Sequence, residues 1–129
     1  MARARFIRNT TLSRINRREL VFRRDHGVCA ECGLDTESLR TYINARSKAE
    51  GFWRTGMFEN PSPGEVLRGR LCALYHMSPK LSFWNADHII PFSEKGSCEL
   101  KNLRTLCYPC HKKTTAKWIK ERLVPNGPR

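Results

Sequence analysis

The chain has 129 residues, with 24 lysines and arginines against 12 acidic residues and a formal net charge of +12. That length fits one domain with a small core that needs a staple, and the positive surplus favours a polyanionic partner, nucleic acid first. No apolar run approaches the roughly 18 residues of a membrane span, and no apolar stretch of signal-peptide type follows the basic N-terminus. The chain therefore reads as intracellular with no membrane partner, where its six cysteines serve as metal ligands or buried thiols rather than disulfides.

Residues 1 to 15 carry Arg3, Arg5, Arg8 and Arg14 with little to bury. They read as a flexible arm, laid along phosphates or simply solvated. Asn16 and Glu19 have the form of a capping box, with Ile15 and Leu20 as its hydrophobic staple. A short helix is expected to follow and to end at Gly27, with Leu20, Val21 and Phe22 inward and Arg17, Arg18, Arg23 and Arg24 on the remaining surface. His26 reads as a turn residue. Cys29 and Cys32 form a first C-x-x-C, with Gly33 relieving the backbone after it. Two thiolates at that spacing can point at one metal ion, although a lone pair is equally compatible with redox chemistry.

Residues 36 to 82 read as an insertion between two cysteine pairs. Leu39, Tyr42 and Ile43 have helical spacing up to a stop at Gly51. Ser62, Pro63 and Glu65 offer a capping box with proline at the first helical position, and Leu67, Leu71, Leu74 and Tyr75 continue that helix through Gly69. Phe52, Trp53 and Phe58 are expected to pack the insertion onto the rest rather than to stack on bases. Cys72 reads as a buried thiol and His76 as a surface or capping imidazole.

The stretch from Trp84 to Lys113 carries the chemistry. Asp87 and His88 are adjacent in a short apolar run, and neighbours on a strand point to opposite sides, so both reach one site only where the strand ends. Pro91 and the polar loop Ser93 to Lys101 supply that end. A second run, Leu103 to Leu106, stops at Cys107, and Pro109 suits the first position of a helix, which places His111 in its first turn. A hairpin followed by a helix thus brings Asp87, His88 and His111 within reach of one another. Cys98 reads as a packing residue of the loop. The last helix carries Ala116, Ile119 and Leu123 as an apolar stripe, with Lys112, Lys113, Lys117 and Lys120 around it, and fades near Pro125.

D-H-I-I-P, then Asn102 fourteen residues after His88, then His111 nine residues later inside C-Y-P-C-H resemble the HNH endonuclease family. The resemblance runs from about Arg18 to Lys120 and is loose in the middle segment. It implies an α+β ββα-metal (HNH, His-Me finger) nuclease fold with a structural zinc and a helical insertion. The chain would then be one nuclease domain: a basic arm and helix (1–26), a first zinc knuckle (27–35), the insertion (36–82) and a ββα-metal core with the second knuckle (83–123). Cys29, Cys32, Cys107 and Cys110 suit a closed tetrahedral zinc site. The 74 residues between the two pairs leave that to the resemblance rather than to spacing. By the same resemblance, His88 activates water, Asp87 and His111 hold one divalent ion, Mg2+ or Mn2+, and Asn102 braces the loop that aims His88, leaving a 5′-phosphate and a 3′-hydroxyl. The family often has a glycine pair where this chain has Ser93, Glu94, Lys95 and Gly96; loop length is expected to matter more than identity.

Arg14, Arg17, Arg18, Arg23, Arg24, Lys112, Lys113 and Lys117 are the expected DNA contacts, to phosphates and with little reading of sequence. The rival reading is a catalytically inactive zinc-ribbon DNA-binding module, which needs the cysteines and the charge but not Asp87, His88 and His111 together. C-Y-P-C-H also has the haem-attachment pattern, which requires export. Further domains, or a replication, repair or phage-packaging partner, are compatible with the reading. So is a bacterial or phage-infected cytoplasm, or a nucleus if the chain comes from a eukaryotic repair enzyme.

Overall fold

The computed structural model describes residues 14–56, 59–91, 94 and 96–123. The N-terminal arm, Phe58, Ser93, Lys95 and the C-terminal tail lie outside the described residues, as do the side chains of Arg14, Ile15 and Leu123. Among the described residues there are four α-helices, a 3-10 turn and a two-stranded sheet, and no helix is long and apolar enough to cross a membrane.

Helix α1 is Arg14–Asp25. Asn16 lies inside it rather than at its cap, so the expected capping box is not formed, and Glu19 instead pairs with Arg23 at 2.5 Å, one turn on. Val21 is fully buried, and Phe22 stacks on Trp84 with ring centroids 6.0 Å apart. The helix stops where His26 and Gly27 take φ of +55° and +79°. Gly27 is buried, and a Cβ there would meet Thr36 Oγ1 at 3.0 Å. That hydroxyl donates to Gly27 O at 2.6 Å, tying the end of α1 to the start of the next helix.

Helix α2, Thr36–Ala49, is capped by Asp35, whose side chain accepts from Ser38 N. It buries Leu39, Ile43 and Ser47, while Tyr42 turns outward, 44% exposed. Helix α3, Pro63–Leu74, has the expected capping box of Ser62 and Glu65 with proline at the start. Gly64 lies so close to α2 that a Cβ would fall 2.5 Å from Ser47 O. Cys72 is buried as expected, whereas Leu74 and Tyr75, which continue the helical pattern, are exposed. His76 takes a φ of +60°, with His76 N donating to Ala73 O and Met77 N to Cys72 O. This is a Schellman-type stop with histidine in the position glycine usually takes.

Strand β1, Trp84–His88, pairs antiparallel with β2, Leu103–Cys107, in a register that sets Asp87 opposite Arg104 and His88 opposite Leu103. The 3-10 turn Leu100–Asn102 leads into β2, and helix α4, Tyr108–Leu123, leaves it directly. The core is in two parts. Val21, Trp84 and Leu103 join α1 to the sheet along its length; Leu39, Ile43, Cys72 and Met77 pack the insertion against Phe83, Leu106 and the cysteines. Phe52 and Trp53 take no part, being 37% and 57% exposed, and Ile119 on α4 is also exposed. Four short helices around two short strands leave no second layer to cover those faces.

Candidate active site and metal centre

The first C-x-x-C occupies a tight turn closed by Cys29 N donating to Leu34 O at 2.8 Å and Gly33 N to Cys29 O at 3.0 Å. Gly33 has a φ of +78°, a conformation that favours glycine. Ala30 N donates to Thr105 O at 2.8 Å, which docks this turn on β2. Cys107 ends β2 and Cys110 lies in the first turn of α4. The sulfurs of Cys29, Cys32, Cys107 and Cys110 all lie within 4.8 Å of one another, with Cys32 and Cys107 Sγ 3.6 Å apart. Four sulfurs each about 2.3 Å from a tetrahedral ion stand about 3.8 Å apart, so the cluster fits a bound ion. It does not fit a disulfide, where the separation is about 2.05 Å, and these cysteines are free thiols. Because Cys107 and Cys110 face the other pair, the haem-attachment reading of C-Y-P-C-H has no support in the fold.

The electrostatics of the cluster agree. Burial raises the Cys29 thiol, but the backbone N–H groups of Cys32, Cys107 and Glu31 outweigh it and hold that group at about 6. Burial pushes Cys107 up, and pushes Cys110 up to about 11, with the neighbouring sulfurs Cys32 and Cys29 adding to both. One thiolate forms readily while its neighbours resist further negative charge, a conflict that a divalent cation removes.

His88 is the last residue of β1, and His111 is the fourth of α4. Both line one cleft of about 790 Å³, together with Arg17, Arg18 and Lys112. Asp87 does not line it. Its carboxylate lies 3.8 Å from Arg104 Nε across the sheet, long enough that this buried nitrogen has no hydrogen bond. Strand alternation thus keeps Asp87 apart from His88 here. His111 Nδ1 is likewise buried without a hydrogen-bond partner, a group that ordinarily demands one.

Asn102 is buried at the mouth of the hairpin. Its Oδ1 accepts from Ile90 N at 2.9 Å, and its Nδ2 donates to Ile90 O at 3.1 Å and to Ser97 O at 2.7 Å. One amide therefore holds both ends of the loop that follows His88. In the same loop, a Cβ on Gly96 would fall 1.8 Å from Ile90 O. Identity therefore matters at Gly96, a constraint beside the loop length that was expected to matter more. Cys98 is buried as expected, but its Sγ lies 3.3 Å from His88 Nε2. Nothing in a spacing of ten residues signals that contact.

The basic residues divide. The Arg18 guanidinium lies 3.8 Å over the Trp84 ring and donates to Trp84 O at 3.1 Å and Ser82 Oγ at 2.5 Å, and burial lowers its pKa. Arg24 donates to Leu100 O at 2.9 Å and Leu103 O at 2.6 Å while pairing with Asp25. Both arginines hold α1 on the sheet, and Arg23 is engaged by Glu19. Arg17 and Lys112 face the cleft, and Lys113 and Lys117 are exposed along α4.

A hairpin whose strands lead into one helix, with histidines from strand end and helix start on a common cleft, defines the ββα-metal nuclease fold. The chain belongs to the HNH endonuclease family, whose sequence profile matches residues 72–117. It is similar to the mouse DNA annealing helicase and endonuclease ZRANB3, 35% identical over 106 residues that make up 81% of this chain and 10% of that protein. The human protein of the same name is 32% identical over 106 residues. The crystal structure of the human ZRANB3 HNH domain superposes with a TM-score of 0.53 at 31% identity, over 84% of this chain and 92% of that one. The chain spans about a tenth of the length of these curated relatives.

Proposed function

We propose that the chain is a DNA endonuclease that hydrolyses phosphodiester bonds, nicking or cutting with little sequence preference. His88 is the general base, and Asp87 and His111 hold one divalent ion, Mg2+ or Mn2+. The observation that carries this reading is the shared cleft of His88 and His111, flanked by Arg17 and Lys112. Of the donor set, the buried His111 Nδ1 is without a hydrogen-bond partner; the Asp87 carboxylate, a hard oxygen donor, lies beside Arg104 outside the cleft and would turn from it to reach the ion. When bound, the ion supplies electrostatic stabilisation of charge on the phosphate oxygens. The His88 imidazole takes a proton from the attacking water, and Asn102 fixes the loop that positions it. A zinc ion on Cys29, Cys32, Cys107 and Cys110 is structural in this reading, with all four ligand positions filled by protein. DNA as substrate is supported by the charge of +12 and by the similarity to ZRANB3, a DNA annealing helicase and endonuclease.

The test is relaxation of supercoiled plasmid with Mg2+ or Mn2+, comparing the wild type with His88→Ala in protein that retains zinc. Nicking by the wild type alone, with DNA binding intact in the variant, supports the assignment. Equal cutting by both removes His88 as the base, and binding without cutting by either moves the inactive zinc-ribbon module ahead.

A further inference from the structure

Phe52 and Trp53 sit in the turn between α2 and α3 and point outward, 37% and 57% exposed. Their backbone is not loose. Trp53 N donates to Ser62 Oγ at 3.2 Å, and Gly64 admits the Phe52 backbone so closely that a Cβ there would lie 2.6 Å from Phe52 Cα. The turn is thus held by the cap of α3 while presenting two aromatic faces. Phe52 borders a groove of about 690 Å³ whose walls include Lys48, Arg54, Arg68 and Lys80. The carboxylate in that wall, Glu65, already accepts from Ser62 N at 2.9 Å and Thr55 Oγ1 at 3.0 Å.

The groove is not isolated. Arg68 also lines a neighbouring depression of about 550 Å³, whose far wall includes Arg18, Leu81 and Ser82. Those three residues in turn line the cleft that holds His88 and His111. A track with shared walls, lined in its middle by Arg18, Arg40 and Arg68 beside Glu19 and Glu37, therefore runs from the nuclease cleft to the exposed aromatics of the insertion.

We infer that this face of the insertion binds single-stranded DNA, with bases stacked on Trp53 and Phe52 and phosphates held by Lys48, Arg54 and Lys80. Aromatic faces interleaved with cations suit a single strand, whose bases are free to stack, and not an intact duplex, whose base faces are already covered. That the bound strand leads to the cleft rests on the nuclease reading; the stacking surface does not.

The experiment measures fluorescence anisotropy of a labelled oligo-dT of about 15 nucleotides, within the range that such surfaces span, and of a blunt duplex. Both are titrated with full-length His88→Ala, so that no probe is cut, with and without Trp53→Ala or Lys48→Glu/Lys80→Glu. Trp53→Ala is expected to weaken oligo-dT binding about tenfold, within the cost of one lost stack, and to leave duplex binding unchanged. The charge reversals are expected to lower the salt dependence of oligo-dT binding. Zinc content serves as the folding control, and Phe52→Ala repeats the test should Trp53→Ala lose zinc. Oligo-dT binding that is absent in the parent, unchanged in the variants or weakened only in step with the duplex overturns the inference. A wild type that cuts no plasmid, alongside loss of oligo-dT binding in Trp53→Ala, sinks the nuclease reading and leaves the stacking surface standing.

Discussion

Replacing Asn102 by alanine removes three hydrogen bonds from one buried side chain and leaves Ile90 N, Ile90 O and Ser97 O without their partner. Each such bond contributes about 1 kcal/mol net, which sets an upper figure of about 3 kcal/mol. Ile90 is 54% exposed as a residue, so water can reach part of the vacated space, and the expected loss is about 2 kcal/mol. For a domain of this size that lowers Tm by roughly 6 to 10 °C. Asn102→Asp should be worse than Asn102→Ala at neutral pH, because a carboxylate would face two carbonyl oxygens where the amide now donates. The assay is thermal unfolding at fixed zinc content, together with hydrogen exchange of the Ile90 amide. Both variants falling within about 0.5 kcal/mol of wild type, the range of an ordinary surface change, with Ile90 protection unchanged, would refute the claim that this side chain closes the loop.

The Asp25 carboxyl is held below the usual carboxylate range by its hydrogen bond from Arg24, which with help from Thr105 outweighs burial. A depressed folded value means that the contribution is present above the unfolded value of about 3.9 and is lost as pH falls through the folded value. Asp25→Asn should therefore cost about 1 to 2 kcal/mol near pH 7 and flatten the acid limb of a stability–pH curve; limbs of equal slope in both proteins would contradict this. Metal analysis should find one zinc per chain in the wild type and none in Cys107→Ser, with a large loss of thermal stability on chelation. Full zinc occupancy in the variant would remove Cys107 from the ligand set.

Local features of the fold were legible. The Ser62 cap works through residues three positions apart, the end of β1 at His88 follows from the proline and polar loop beyond it, and His76, read as a surface or capping imidazole, is exposed at a stop made by its backbone. Facing was legible only in part. Tyr42, Leu74 and Tyr75 keep helical spacing yet turn outward, because periodicity says that one face is apolar and not whether a partner exists to cover it. Asn16 has the chemistry of a cap, but the chain is helical from Arg14, and an interior position gives that side chain no helix end to cap. At the site, the shared cleft of His88 and His111 lies where hairpin and helix geometry would put it, and the cysteine cluster lies where the family resemblance implied it. Asp87 opposite Arg104, Cys98 beside His88, and Arg18 and Arg24 bonded to backbone carbonyls all depend on contacts across ten or more residues, or on cross-strand register. Composition counted those arginines as surface charge; the fold uses them as ties.

The two cysteine pairs are separated by 74 residues, the whole insertion among them, and their sulfurs meet at one point. An ion there acts as a cross-link. By the loop-closure relation used for disulfides, fastening a loop of that length removes about 4 kcal/mol of unfolded-state freedom, and doubling the loop changes the closure term by only about 0.6 kcal/mol. Added length in the turn between α2 and α3, which lies inside that segment, is thus tolerated in thermodynamic terms. That turn can change in length and surface while the clamp keeps β2 and the start of α4 in place, so new surfaces can be acquired there without disturbing His88 or His111.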